Sequence, residues 1–179
     1  GSLVVCKNDI AHNSLAAQLK EHSVNRRYRA ICMGVIKEDE GTIHTTIGRH
    51  PTDRKKMAIA KKDGRDAVTH ITVLERFGKY TLIRCKLQTG RTHQIRAHMK
   101  HIGHTLFNDE RYGGNEILRG NTSSNYRQFI QNCFNACPRQ VLHAKTLGFV
   151  HPTTGKEMFF TSDIPEDITT LLEKWRKIQ

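Results

Sequence analysis

The apolar positions of this chain fall into short runs, and the spacing within each run predicts its element. Residues 2–7 are a short apolar run that reads as a strand. Asn8-Asp9 then offers a helix cap, and Ile10, Leu15 and Leu19 share one helical face to about His22. Residues 27–35 alternate and carry Tyr, Ile and Val, which predicts a strand ending near Gly34. A turn at Glu38-Asp39-Glu40-Gly41 leads into β-branched alternation over residues 42–47, expected to pair with the preceding strand as a hairpin. Residues 67–77 and 80–88 are two further strands joined at Gly78-Lys79, the second closed by Thr89-Gly90. A helix is expected from about Thr92 to His101, with Ile95, Met99 and Ile102 on one face. Residues 103–125, rich in Gly, Asn and Ser, are mostly loop, and residues 125–136 a helix. Residues 147–151 and 157–161 form a hairpin around Pro152 and Gly155. Pro165 opens a last helix that buries Ile168, Leu171, Leu172 and Trp175. Strands outnumber helices and several neighbours are hairpins, so the class is α+β: a mostly antiparallel sheet with packed helices. A length of 179 residues fits one domain.

Charge narrows the partners. The chain carries +12 at neutral pH with a pI near 9.8, a surface that attracts polyanions, nucleic acid first among them. The charge concentrates in residues 49–65, where Arg49, Arg54, Lys55, Lys56, Lys61, Lys62 and Arg65 face only Asp53 and Asp63. With Pro51, Gly64 and little periodicity, this segment is expected to be an exposed basic loop or flexible hairpin arm; the bland alternative is a solvated loop. No apolar run reaches transmembrane length and none resembles a signal peptide. Five scattered cysteines inside apolar runs read as free thiols in a reducing compartment.

The densest chemical signal is Leu87-Gln88-Thr89-Gly90-Arg91-Thr92-His93-Gln94-Ile95-Arg96-Ala97-His98. A strand ends, a Thr-Gly turn follows, and Arg91 stands at the mouth of a helix. Unpaired helix N–H groups plus a guanidinium suit a carboxylate or a phosphate. A capped helix with a surface arginine fits equally well. His93, His98, His101 and His104 raise a metal site, with Asp109 the nearest carboxylate; hydrogen bonding to backbone or phosphate is the favoured reading.

Thr89–Arg96, His101-Ile102-Gly103-His104, Asn108-Asp109 and Tyr112-Gly113 together resemble the signature of RluA/RluD-type RNA pseudouridine synthases. Thr105 stands where that family has Pro, and Asn108 where it has Gly; both are loop positions. Leu-Val-Val-Cys-Lys-Asn-Asp up to Asp9, Arg26-Arg27-Tyr28, Ile47-Gly48-Arg49-His50-Pro51, Arg54-Lys55-Lys56-Met57, Leu142-His143-Ala144 and His151-Pro152 extend the resemblance, in order, over nearly the whole chain.

The resemblance implies isomerisation of uridine to pseudouridine in structured RNA, large-subunit ribosomal RNA being the substrate expected, in the cytoplasm. It implies no metal, no small-molecule cofactor and no membrane. Arg91 would pair with the family's nucleophilic aspartate, Tyr28 would lie against the flipped uracil and relay a proton, and Leu142 would line the base pocket. Without the resemblance, Tyr28 reads as a core strand residue. Arg26, Arg27, Arg49, Arg54, Lys55, Lys56, Lys61, Lys62 and Arg96 would contact RNA. The aspartate itself sits in a His-Arg-Leu-Asp, two residues, Thr-Ser-Gly motif whose last glycine falls on Gly1, so no residue of this sequence corresponds to it. The expectation is a catalytic-domain fragment lacking that motif and inactive alone. The rival readings are a non-catalytic RNA-binding module and a histidine-based metalloenzyme acting on nucleic acid.

Overall fold

Residues 1–118 and 123–178 are described in the computed structural model. They form helix α1 (Asp9–Lys20), strands β1 (Asn25–Met33), β2 (Glu40–Arg49), β3 (Met57–Ile59), β4 (Arg65–Phe77) and β5 (Tyr80–Leu87), and helix α2 (Gln94–His101). A 3-10 turn (Glu110–Tyr112), α3 (Ser124–Ala136), β6 (Leu142–Val150), β7 (Glu157–Thr161) and α4 (Glu166–Arg176) complete the chain. Among the described residues the strands make one seven-stranded sheet in the order β3-β2-β4-β5-β1-β6-β7, every neighbouring pair antiparallel. The α+β class expected from the pattern is the class observed.

Alternation along the central strands splits the core in two. Ile31, Met33, Tyr80 and Leu82 face α3 and α4, where Trp175 stacks on Tyr80 at 4.7 Å between centroids. Ala30, Cys32, Ile83, Cys85 and Leu87 face α2 and bury Ile95 and Met99. Tyr28 and Leu142 pack against this second cluster. The last helix starts at Pro165 and buries the four residues its spacing indicates. The cysteines are free thiols, and all but Cys6 are buried.

Three sequence expectations are corrected. Residues 2–7 form no strand: β6 already has β1 on one side and β7 on the other, and Ser2 makes a single backbone hydrogen bond to Ala144 (2.9 Å). The strands at 27–35 and 42–47 do not pair. β1 is filled on both sides by β5 and β6, and Ala30, Ile31 and Cys32 are wholly buried, whereas β2 pairs with β4 and β3. The chain therefore crosses over two strand positions between β1 and β2, through backbone contacts such as Val73 N–H to the Asp39 carbonyl (2.7 Å). Finally, of the loop and the hairpin arm expected for residues 49–65, the arm is the form observed and the loop reading is corrected. Met57–Ile59 adds β3 to the edge of β2, and Tyr112 Oη accepts the Met57 N–H at 2.9 Å. Of the stretch read as loop at 103–125, residues 119–122 lie outside the described residues; Asn108 within it adopts φ 55 and donates from Nδ2 to the Phe134 and Cys137 carbonyls. Asn is among the few side chains that enter this left-handed region readily, so it can stand in for glycine there.

Candidate active site

The turn between β5 and α2 is built by Gln94. This residue is 2% exposed and its amide is fully used. Its Oε1 accepts from Thr89 Oγ1 (2.7 Å) and from the Arg91 N–H (2.9 Å); its Nε2 donates to the Val68 carbonyl (3.0 Å) and Thr69 Oγ1 (2.9 Å). Thr89 Oγ1 in turn accepts the Val68 N–H at 2.9 Å. The Thr-Gly-Arg turn is thus stapled to β4 from inside. His93, in the left-handed region at φ 52, closes it, which is why α2 starts at Gln94 rather than Thr92.

This staple aims Arg91. Its Nε donates to the Asp66 carbonyl at 2.8 Å, and among the described residues its terminal nitrogens hydrogen-bond no protein group. Beside it lies Arg26 from β1. Arg26 packs its guanidinium on the open Cα of Gly90, and its buried Nε has no hydrogen-bond partner. Burial pushes the Arg26 pKa down; the nearby Tyr28 oxygen pulls it up and the Arg91 charge pushes it down again. Desolvating a guanidinium next to another is unfavourable unless an anion joins them. Two guanidiniums, one tyrosine and, among the described residues, no carboxylate bound to either arginine make a site whose chemistry asks for a negatively charged group.

Tyr28 stands on β1 opposite Cys85 of β5 and Ala144 of β6. Leu142 pairs with Ala30, which places it diagonally from Tyr28 on the same face. A register shift between Arg27 and Tyr28 leaves Lys145 as an extra residue of β6 at this point. A hollow of about 200 Å³ follows, lined among others by Arg26, Tyr28, Ala144, Thr146 and Leu147 under α1. The structure thus brings Tyr28, Arg26 and Arg91 together, with Leu142 on the Tyr28 face.

The basic residues divide. Arg49, Arg54, Lys55, Lys61 and Lys62 are exposed, and Lys56 is half-buried at a cavity of about 450 Å³ that Lys100, His101 and Arg111 also line. Arg49 donates to the Arg54 carbonyl and Arg111 to the Lys55 carbonyl, each at 3.1 Å, so the arm is folded onto the 3-10 turn. Arg96 differs: both branches of its fork bind Asp109 (2.7 and 2.8 Å), with the Tyr112 ring 4.8 Å from its guanidinium carbon. At 12% and 1% side-chain exposure this is an interior pair, which engages Nε and Nη2 of the arginine expected to contact RNA. Arg26, expected among the RNA contacts, lies against Gly90 beside Arg91 and Tyr28.

The histidines are engaged singly. His98 is wholly buried, its two ring nitrogens each 2.9 Å from a threonine hydroxyl, Thr45 and Thr69. Burial first, then the His101 and His44 charges, lowers its pKa to about 4. His93 Nδ1 meets Tyr112 Oη at 3.0 Å, and His104 Nδ1 donates to the Met33 carbonyl at 2.9 Å. Among the described residues no three His, Cys, Asp or Glu side chains converge.

Sequence reasoning did not single out Gln94 and Gly90 as the residues that position the arginines. Their signal is the Thr-Gly-Arg-x-x-Gln spacing, in which a polar residue three beyond Arg91 falls inside the first helical turn.

Comparison with known proteins gives the same direction. The sequence profile described as RNA pseudouridylate synthase matches residues 1–101. The chain is 46% identical over 177 residues to an uncharacterized RNA pseudouridine synthase of Bacillus subtilis, covering 99% of this chain and 52% of that protein. It is 46% identical to the ribosomal large subunit pseudouridine synthase D of Pseudomonas aeruginosa, over 99% of this chain and 53% of that one. Among solved structures, human RNA pseudouridylate synthase domain containing 1 superposes with a TM-score of 0.65 at 26% identity, covering 95% of this chain and 73% of that one. Human RNA pseudouridylate synthase domain containing 4 shares the fold with a TM-score of 0.70 at 21% identity, over 95% and 69% of the two chains. The chain spans about half the length of the curated relatives it matches. A matching profile over more than half the chain, and this identity over nearly all of it, place the chain in the RNA pseudouridylate synthase family.

Proposed function

We propose that the protein isomerises uridine to pseudouridine in structured RNA, with large-subunit ribosomal RNA as the substrate class, and that it works in the cytoplasm. The observation that carries this reading is the Arg26–Arg91 pair beside Tyr28, two half-buried cations with no carboxylate bound to them among the described residues. A carboxylate from outside this sequence would complete it. Arg91 would keep that carboxylate ionised and aimed at the ribose, a task suited to a planar fork. The N1–C1′ bond of the nucleotide breaks, the uracil turns, and a C5–C1′ bond forms. The C5 proton leaves and N1 gains one, so composition is unchanged. Tyr28 supplies a ring face for the uracil and a hydroxyl for the C5 proton. Taking the base out of its stack costs a few kcal/mol, offset by contacts to the base. Leu142 lines the pocket from the neighbouring strand, and the exposed cations from Arg49 to Lys62 hold phosphates, giving affinity rather than base choice.

The 179-residue chain alone is expected to bind RNA without turning over, because no residue in it matches the family's aspartate motif. The test is nucleoside chromatography of a large-subunit ribosomal RNA transcript after incubation. A gene product carrying the aspartate motif upstream of Gly1 should yield pseudouridine, and the 179 residues alone should yield none. Binding without pseudouridine in both would leave an RNA-binding module; product from the chain alone would overturn the missing-nucleophile reading.

A further inference from the structure

The sheet face turned away from α2 carries a concentration of charge of which only Arg27 was among the expected RNA contacts. Arg27 and Arg29 flank Tyr28 on β1, so their side chains leave the sheet on the face opposite the tyrosine. The register sets Lys86 opposite Arg27 and Arg84 opposite Arg29 on β5. The polar surface continues across β4 and β2 through His70 opposite Lys86, Thr72 opposite Arg84, and Thr42 opposite His70. Helices α3 and α4 cover only the half of this face formed by Ile31, Met33, Tyr80 and Leu82.

Like charges directly opposite one another on neighbouring strands destabilise a sheet. Here two such pairs stand side by side. Among the described residues none of the four cations is ion-paired; Arg84 donates to Thr72 Oγ1 at 3.2 Å. The carboxylates of this face are otherwise placed: Asp66 binds His44 at 2.6 Å, Glu75 binds Arg176 at 2.7 Å, and Glu40 lies beyond Thr72. Burial lowers the Arg29 pKa, and the Arg84 and Arg27 charges lower it further, so the repulsion is felt within the folded chain. A fold gains nothing from this arrangement, but a polyanion laid across it would neutralise all four groups.

We propose that Arg27, Arg29, Arg84 and Lys86 form a second RNA-binding surface, gripping the phosphate backbone on the sheet face opposite Tyr28. The proposal rests on the reading of RNA as substrate. A structured RNA would then be held on both faces of the sheet: the reacting uridine on the Tyr28 side, and a flanking segment on the Arg29 side. Because the contacts are to phosphate, they supply affinity and orientation without reading sequence.

The test compares the wild-type chain with the Arg29→Gln/Arg84→Gln double variant and with Lys86→Gln, an exposed position. Each is titrated with a labelled stem-loop RNA over a range of salt, and each is melted. The salt slope should become shallower by roughly 1.4–1.8 in the double variant and roughly 0.7–0.9 in Lys86→Gln. Melting temperatures should stay level or rise, because facing like charges have been removed. Unchanged slopes in both variants would overturn the proposal. So would displacement of RNA from the wild type by polyglutamate as effectively as by unlabelled RNA, which would assign the face to an acidic polypeptide. Pseudouridine formation by the gene product that carries the aspartate motif is scored separately. Activity with unchanged slopes defeats this surface alone, whereas reduced slopes without activity defeat the reaction alone.

Discussion

Arg26 rests its guanidinium where Gly90 has no side chain: a Cβ at position 90 would overlap Arg26 Nη1. Gly90→Ala should therefore push Arg26 off the Arg91 platform while leaving the stapled turn in place. The displaced atoms are the end of a flexible side chain, so stability should change by less than about 1 kcal/mol. If Arg26 helps to orient the reacting group, its displacement should cost about hundredfold in rate. Urea denaturation together with pseudouridine formation by the active gene product checks both halves, and a fully active Gly90→Ala enzyme would show that Arg26 has no seat to lose.

Arg96 should behave as an interior residue. Breaking its two-pronged bond to Asp109 leaves a charge desolvated, so Asp109→Asn or Arg96→Gln should cost about 3–5 kcal/mol in denaturant unfolding. Its engagement by Asp109 predicts an unchanged salt slope for RNA binding at temperatures where the variant stays folded. A slope shallower by about 0.7–0.9 would return Arg96 to the phosphate contacts.

His98 predicts a pH dependence. Its pKa is lowered to about 4 from an ordinary 6.5. Above the unfolded value both states are neutral at this position, and stability is complete. As pH falls from 6.5 towards 4 the unfolded chain takes up a proton that the folded chain refuses, so stability falls by about 3 kcal/mol and levels off below that window. His93 and His143, both lowered by burial first, act in the same direction. His98→Gln, which can still bond Thr45 and Thr69, should flatten the stability curve between pH 6.5 and 4; an equally steep curve would mean His98 titrates normally.

The proposed role of Tyr28 is tested by separating stacking from proton transfer. In the active gene product Tyr28→Phe keeps a ring for the uracil and loses the hydroxyl, so RNA affinity should hold while the rate falls by about 10²–10⁴. Equal losses in affinity and rate would make Tyr28 a structural residue.

The elements of this fold were legible where a single period governs them. The last helix, the β6–β7 hairpin and the β4–β5 pair follow from their apolar spacing. Strand order was not legible, because nothing local to 27–49 says that β1 will be taken by β5 and β6 before β2 can reach it. In the arm at 49–65 the short apolar Met57-Ala58-Ile59 that makes an edge strand was outweighed by seven cations, Pro51 and Gly64. At the site, the Thr-Gly-Arg-x-x-Gln pattern marked the right turn. Which arginine faces which partner depends on contacts between strands far apart in sequence: Arg26 turns inward onto Gly90, and Arg96 turns to Asp109. Residue type and spacing identify the cations but not the direction in which each leaves its element.

The proposed role of Arg91 is to organise the reacting group of a pseudouridine-forming site. Tritium released from large-subunit ribosomal RNA labelled at uridine C5 reads that reaction directly, since the C5 proton must leave. The gene product with the aspartate motif should release tritium over repeated turnovers, and its Arg91→Gln variant should be slower by at least about hundredfold while still binding RNA. Release by Arg91→Gln at the wild-type rate would contradict the account.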